Sequence, residues 1–142
     1  HYDRLEQQPE KFSKGVYERM TTGFSYTNID YANAIRAREI WKQTLFKVFN
    51  SVDIILSPTL PTLVPPVEED KSLLQATKDA TRNTYAGALG QIPGLSIPCG
   101  FTSDGLPIGL QLEAAWWNDP LLLRAGYTFQ RETDWHLKTP KI

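Results

Sequence analysis

The sequence is poor in the residues that build cross-links and metal centres. It contains one cysteine, Cys99, and two histidines, His1 and His136, which lie at its two ends. A single cysteine cannot form an intrachain disulfide, and this usage favours a reducing, cytoplasmic location. A structural zinc site needs about four ligands at close spacing, and a serine–histidine nucleophile needs a histidine within reach. We therefore expect no metal site and no histidine-assisted catalysis.

Recognisable nucleophile and cofactor motifs are also missing. There is no G-x-S-x-G turn, no phosphate-cradling glycine loop and no G-x-G-x-x-G after a strand, so no cofactor is expected. Cys99 lies inside an apolar, strand-like run with no base nearby in sequence. We interpret it as a small buried hydrophobic side chain rather than a nucleophile. Read alone, the chain carries no complete catalytic machinery.

Neither sign of charge dominates, and no apolar run is long. The 15 basic and 16 acidic residues are mixed along the chain and leave a net charge of −1. No basic stripe marks a nucleic-acid surface, and no apolar run approaches the ~20 residues of a membrane span. We therefore expect neither a nucleic-acid partner nor a membrane.

What is present is enough for a folded core. Hydrophobic residues make up 41% of the 142 residues, which is the size of about one domain. The chain opens on His1 rather than methionine, and its first stretch is already polar and helical in character. We therefore expect a piece of a longer protein.

Hydrophobic periodicity predicts an alternation of helices and strands. In the predicted helix over 72–90, small side chains form a stripe, so this helix is expected to approach a neighbour closely. The elements are a helix over 27–50, a strand over 52–58, an extended loop over 59–70, a helix over 72–90, strands over 95–101 and 107–114, and a final helix capped by Asp119.

This order predicts an α/β fold with a mixed sheet. A strand–helix–strand unit implies a parallel pair with a right-handed crossover, and the following hairpin adds an antiparallel neighbour. Pro98 and Pro107 limit which strand edges can pair, because proline has no N–H for the ladder. The proline- and glycine-rich segment 92–113 is thus predicted to be scaffold.

Arg38 breaks the apolar pattern of the first predicted helix. At 100° per residue it lies in the middle of the stripe formed by Tyr31, Ile35, Trp41 and Leu45. A guanidinium buried there without a partner would be very costly. It is either paired internally with an acidic side chain, or it faces a pocket and binds a carboxylate or carbonyl of a ligand. The pattern alone favours neither alternative.

A set of spaced segments resembles a known family. Arg38, Asp53, SPTLPT (57–62), SIPCG (96–100) and GLPIGLQL (105–112) together resemble the C-terminal part of the amidase signature family. That family includes stand-alone amidases and the A subunit of the tRNA-dependent amidotransferase. The resemblance runs from about Tyr17 to the final helix, and the pairing of IPCG with GLPIGLQL is its most specific element.

The resemblance implies a serine–cis-serine–lysine hydrolase of amide C–N bonds. In such enzymes a lysine takes a proton through a bridging serine, and backbone donors of a glycine-rich segment hold the oxyanion. Those residues belong to a part of the family upstream of the one matched here. No Gly-Ser-Ser-Gly-Gly-like segment occurs in this sequence, so no catalytic residue is assigned. Residues 1–142 are accordingly expected to be the C-terminal portion of an amidase domain.

Two substrate-binding positions are carried over from the resemblance. Arg38 matches an arginine that binds the polar end of the substrate in the amidotransferase A subunit. The acidic partner position falls at Thr81, which cannot pair with a substrate ammonium as a carboxylate would. Asp79 is close in sequence but points elsewhere on a helix. In ALGQIP (88–93) the family's usual glycine is replaced by Gln91.

Three functions remain open at this stage. The preferred one is a stand-alone amidase whose other partners are the missing N-terminal part, a small-molecule amide substrate and a second copy of the chain. The second is an amidotransferase A subunit, which the threonine at position 81 disfavours. The third is a non-catalytic domain that binds a small carboxylate or a partner protein.

Overall fold

The computed structural model describes residues 1–64 and 73–139, without the side chains of residues 73 and 74. Helices and strands alternate in the predicted order. The elements are α1 (Tyr2–Gln7), α2 (Lys14–Thr21), α3 (Asn28–Phe49), β1 (Ile54–Pro58), α4 (Leu73–Ala80), α5 (Arg82–Gly90), β2 (Gly94–Phe101), β3 (Pro107–Ala114) and α6 (Asp119–Glu132), with 3₁₀ turns at Pro9–Lys11, Thr22–Ser25 and Trp135–Leu137.

The α/β class is confirmed. The three predicted strands and the helix predicted over 27–50 agree with β1, β2, β3 and α3 to within a few residues, whereas the helix predicted over 72–90 is divided into α4 and α5. Asn118, not Asp119, occupies the N-cap of α6, and Asp119 is its first helical residue. The predicted loop over 59–70 is irregular as far as residue 64. Its remaining part, with the acidic residues Glu68, Glu69 and Asp70, and the predicted helix start at Ser72 lie outside the described residues.

The predicted parallel strand pair is wrong. The described sheet has the order β1-β3-β2, and β3 is antiparallel to both neighbours. β1 and β2 run in the same direction, but β3 lies between them. The short hairpin places β3 beside β2, and β3 is also the strand that is most deeply buried over residues 111–114. Since β2 carries Pro98 and a register shift between Pro98 and Gly100, it suits an edge position.

The hydrophobic core lies between this sheet and α6. Ile97, Leu112, Ala114 and Leu122 are buried there, and Leu95, Leu110 and Phe129 pack against them. Leu112 is paired with Leu56 on one side and with Leu95 on the other. The apolar face of α6 thus covers one face of the sheet.

Helices α3 and α5 pack together on the other side of the molecule, and α5 also contacts the polar face of the sheet. The Trp41 indole N–H donates to the Ala86 carbonyl at 2.8 Å, and the Trp116 indole N–H donates to the Gly90 carbonyl at 2.9 Å. Gly90 is buried, and a Cβ at this position would overlap the Leu45 side chain. The predicted close approach of the small-residue helix is therefore present. No helix in the described ranges is long and apolar enough to cross a membrane.

Candidate functional site

Arg38 lies on α3, whose start is fixed by a capping box. The Thr27 side chain accepts from the Asp30 N–H at 3.2 Å, and Asp30 Oδ2 accepts from the Thr27 N–H at 2.8 Å. The Thr27 hydroxyl also donates to Asp30 Oδ2 at 2.7 Å, and this bond, together with the one from the Thr27 N–H, holds the pKa of the Asp30 carboxyl below its usual value. The predicted apolar stripe is buried only in its C-terminal part: Leu45 is 3% exposed, whereas Tyr31 is 70% exposed. Arg38 thus lies at the margin of the buried part of the stripe.

The Arg38 guanidinium is incompletely satisfied. Its side chain is 31% exposed, and Nε lies 3.5 Å from Oε1 of its neighbour Glu39, which is itself 53% exposed. That distance permits an ion pair, but Nε is buried and makes no hydrogen bond to any residue that the structure describes. Among the described residues no other acidic side chain forms an ion pair with Arg38. A surface pair of this kind contributes little to stability, and the arginine retains donors for an external acceptor.

Lys42 and Gln91 form a second polar contact one helical turn from Arg38. Lys42 Nζ donates to Gln91 Oε1 at 3.3 Å. Gln91 is the C-cap residue of α5 and has a left-handed backbone, with φ 59°. Glycine adopts that conformation at the lowest free-energy cost, so the backbone of Gln91 is somewhat strained. Its side chain ties the end of α5 to the helix that carries Arg38.

Thr81 lies at a break between two helices. The helix predicted over 72–90 is divided into α4 and α5, with Thr81 at φ −96° and ψ 8° between them. The Thr81 hydroxyl donates to the Thr77 carbonyl at 2.7 Å, and the Thr81 carbonyl accepts from the Thr84 N–H at 3.1 Å. The Thr81 N–H also donates to the Thr77 carbonyl at 3.0 Å, and the Tyr85 N–H donates to the Thr81 carbonyl at 3.1 Å. The hydroxyl proton is therefore used internally, and the oxygen still has an accepting lone pair.

The structure does not join Arg38 to Thr81 directly. Within residues 1–64 and 73–139, no hydrogen bond or ion pair connects them. The nearby Asp79 accepts from Gln75 Nε2 at 2.9 Å, so its carboxylate is engaged within its own helix. The two substrate-binding residues predicted from the sequence thus remain predictions.

Cys99 lies next to the register shift in β2. It is half-buried, and its Sγ lies 3.5 Å from the Ile108 carbonyl. No described side chain that could act as a base is hydrogen-bonded to it. In the described part of the chain, no group of histidine, cysteine, aspartate and glutamate side chains is arranged to hold a metal ion.

Glu113 is a buried acidic residue that the sequence patterns did not single out. It is 8% exposed and lies on the β3 face opposite the core, beside Gln111, which is 5% exposed. Burial raises the pKa of the Glu113 carboxyl, and the adjacent Gln111 amide partly opposes that shift. The signal was available: in GLQLEA the polar residues alternate with the leucines, which places Gln111 and Glu113 on one face. Their burial required knowing that α5 covers that face.

Two cavities lie along the sheet. One of about 280 Å³ lies between α3, α5 and the polar sheet face, with Trp41, Ser57, Asn83 and Glu113 in its walls. The other, of about 370 Å³, is mostly apolar and lies between residues 58–64 and the β2–β3 hairpin.

The family model described as Amidase matches residues 8–123. The chain belongs to the Amidase family. The A subunit of a glutamyl-tRNA(Gln) amidotransferase from Methanosarcina barkeri (strain Fusaro / DSM 804) is 40% identical over 112 residues, covering 78% of this chain and 23% of that protein. The corresponding protein from Chloroflexus aggregans (strain MD-66 / DSM 9485) is 38% identical over 117 residues, covering 82% of this chain and 24% of that protein.

Solved structures of Amidase-like folds agree with this assignment. A crystal structure of an amidase matches with a TM-score of 0.81 and 28% identity, covering 93% of this chain and 31% of that one. A second match, with a TM-score of 0.85 and 28% identity, is a chain from a vestigial protein complex that bears on the evolutionary origins of an s-triazine catabolic enzyme. The match covers 98% of this chain and 32% of that one. The chain therefore spans about a quarter of the length of the curated Amidase-family relatives it matches.

Proposed function

We propose that residues 1–142 form the C-terminal portion of the catalytic domain of a longer amidase. That protein hydrolyses a carboxamide C–N bond to a carboxylate and ammonia or an amine. The observation that carries the proposal is the family match over residues 8–123 in a chain that lacks a Gly-Ser-Ser-Gly-Gly-like segment. The serine–cis-serine–lysine machinery then lies in the N-terminal part, and this portion supplies scaffold and substrate contacts.

Within this portion, Arg38 binds the polar or acidic end of the substrate. Its support is the Nε that is buried without a hydrogen bond and the weak, exposed partner Glu39. A buried unsatisfied donor costs free energy that a substrate oxygen would recover. Thr81 contributes a neutral acceptor rather than a carboxylate, because its hydroxyl proton is held by the Thr77 carbonyl.

The combination of Arg38 and Thr81 fits a stand-alone amidase better than a glutamine-using amidotransferase. A glutamine donor carries an ammonium group, and Thr81 offers it no charge. The competing proposal is an amidotransferase A subunit, which is supported by the relatives that are 38–40% identical. Ammonia release from glutamine as the preferred substrate would favour that alternative.

The test is ammonia release from a panel of amides by the longer protein that contains this chain. The panel holds matched neutral amides, amides bearing a second carboxylate, and glutamine. We expect Arg38→Ala to raise KM for the acidic amides about ten- to a hundredfold, the range for losing a charged hydrogen bond, with a smaller change in melting temperature. Arg38→Lys should restore part of the binding.

Arg36→Ala provides the matched control, because Arg36 is an exposed arginine two residues away on the same helix. It should leave KM unchanged. If Arg38→Ala lowers the melting temperature while the kinetics stay normal, Arg38 is a structural residue. If no amide in the panel releases ammonia, the non-catalytic binding function replaces the amidase.

A further inference from the structure

The buried carboxyl of Glu113 lies where α5 crosses the sheet. Its Oε1 occupies the space that a Cβ at position 87 would need, so only a glycine on α5 leaves room for it. Glu113 is 8% exposed. The helix thus approaches this strand closely around an acidic side chain rather than an apolar one.

No cation neutralises this carboxyl within the described residues. No ion pair to Glu113 is formed there, and Gln111 is its uncharged polar neighbour. An unpaired carboxylate taken out of water loses much of its hydration energy. A positively charged ligand would recover part of that loss.

The cavity beside Glu113 has the other features of a small cation site. Its volume of about 280 Å³ is just below the ~300–1,000 Å³ of typical ligand pockets, so it suits a small molecule. Leu45, Ile55 and Ile92 give it apolar walls. Trp41 also lines it, with the ring held by the hydrogen bond to Ala86, and an indole ring can stabilise a nearby cation.

Two neutral acceptors accompany the carboxylate in the cavity wall. Ser57 contributes a hydroxyl, and Asn83 donates its Nδ2 to the Pro58 carbonyl at 2.8 Å, which leaves its Oδ1 free to accept. An ammonium group has three donors and no acceptor. One carboxylate, one hydroxyl and one amide oxygen match that requirement.

We propose that the cavity between α3, α5 and the sheet binds a small primary alkyl- or arylalkylamine as its ammonium ion. Glu113 supplies the counter-charge, Ser57 and Asn83 accept the remaining hydrogens, and the apolar walls with Trp41 take the carbon chain. This site differs from the Arg38 position, which carries positive charge. The proposal does not depend on the amidase reaction.

Arg82 is a positively charged residue that competes with a cationic ligand for this site. It lines the same cavity but is exposed and forms no ion pair with Glu113. Its charge opposes entry of a second cation. Removing that charge should therefore strengthen amine binding, which is the opposite of the result for a residue that merely supports the fold.

The test is calorimetric titration of the longer protein, in phosphate buffer at pH 7, with n-butylammonium and benzylammonium ions. Butanol and butyrate serve as neutral and anionic ligands of similar size. We expect binding of the two amines only. Glu113→Gln should weaken it at least tenfold, Ser57→Ala severalfold, and Arg82→Gln should strengthen it severalfold. Glu132→Gln, an exposed change on α6, is the matched control and should have no effect.

The proposal fails if neither amine binds the wild-type protein, or if Glu113→Gln binds them as tightly. It also fails if Arg82→Gln lowers stability and no amine binds, because Arg82 would then be the internal partner of Glu113. Thermal melting of each variant verifies folding. If Glu113→Gln does not fold, the opposite responses of Ser57→Ala and Arg82→Gln decide the question.

Discussion

At the scale of single residues, Glu113 couples the stability of the fold to pH. Burial raises the pKa of its carboxyl, so the folded state retains a proton over a pH range in which the unfolded chain has lost it. We expect the unfolding free energy of the wild type, relative to Glu113→Gln, to fall as pH rises from about 4.3, the ordinary glutamate value. The difference should level off above the folded pKa.

Denaturant unfolding of both proteins between pH 4 and 8 measures this effect. The buffers must contain no amine, because an ammonium ligand in the cavity would stabilise the ionised form. Parallel stability curves for wild type and Glu113→Gln would contradict the prediction. A curve in which the wild type gains stability with rising pH would mean that a cation pairs with Glu113.

The residue scale also shows what a helical wheel leaves open. The wheel singled out Arg38 as a charge within a predicted apolar stripe. The helical wheel could not predict that the stripe is exposed at Tyr31 and buried at Leu45. Burial along α3 depends on where α5 packs against it, and that packing joins residues about 45 positions apart, such as Trp41 and Ala86.

At the scale of elements, the α3–α5 contact depends on Gly90. A Cβ there would overlap Leu45 and lie 3.3 Å from Trp41 Nε1. Replacing a helical glycine by alanine normally stabilises by up to about 1 kcal/mol, but overpacking a close contact costs about 1–3 kcal/mol. We therefore expect Gly90→Ala to lower the free energy of unfolding. Chemical denaturation of the variant and the wild type measures this change.

Gly23→Ala is the matched control for this substitution. Apart from the residues adjacent in sequence, no atom in the described part of the chain lies within 4 Å of the Cβ position at Gly23, and the Gly23 backbone does not have a positive φ. It should leave stability unchanged or slightly higher. Equal effects of the two substitutions would show that α3 and α5 are free to separate at Gly90.

Local signals predicted the elements better than their arrangement. The hairpin of β2 and β3 follows from short-range alternation and is confirmed. The position of β1 beside β3, rather than beside β2, could not be predicted from the strand–helix–strand order. The break at Thr81 was also missed, because it is a backbone deviation at a single residue, with φ −96° and ψ 8°, that no glycine or proline marks in the sequence.

At the scale of the whole molecule, the chain exposes an unusual number of large apolar side chains. Ile29, Tyr31 and Phe46 on α3 are 73%, 70% and 62% exposed. Trp117 is 92% exposed and has a left-handed backbone, with φ 65°. A bulky residue rarely adopts that conformation unless its surroundings select it. Large apolar side chains left in water favour association with another protein surface.

The chain spans about a quarter of the length of the curated relatives it matches. If it is part of a longer amidase, as proposed above, we expect the remaining chain to cover these side chains. We expect residues 1–142 alone to self-associate in sedimentation velocity, whereas the longer protein sediments as a single defined species. Phe46→Lys should reduce association of the isolated chain without lowering its melting temperature, because Phe46 is exposed there. Lys47→Ala, an exposed control on the same helix, should not reduce it. A clean monomer of the isolated wild-type chain would mean that this apolar surface is tolerated in water, and the interface would then have to be sought elsewhere.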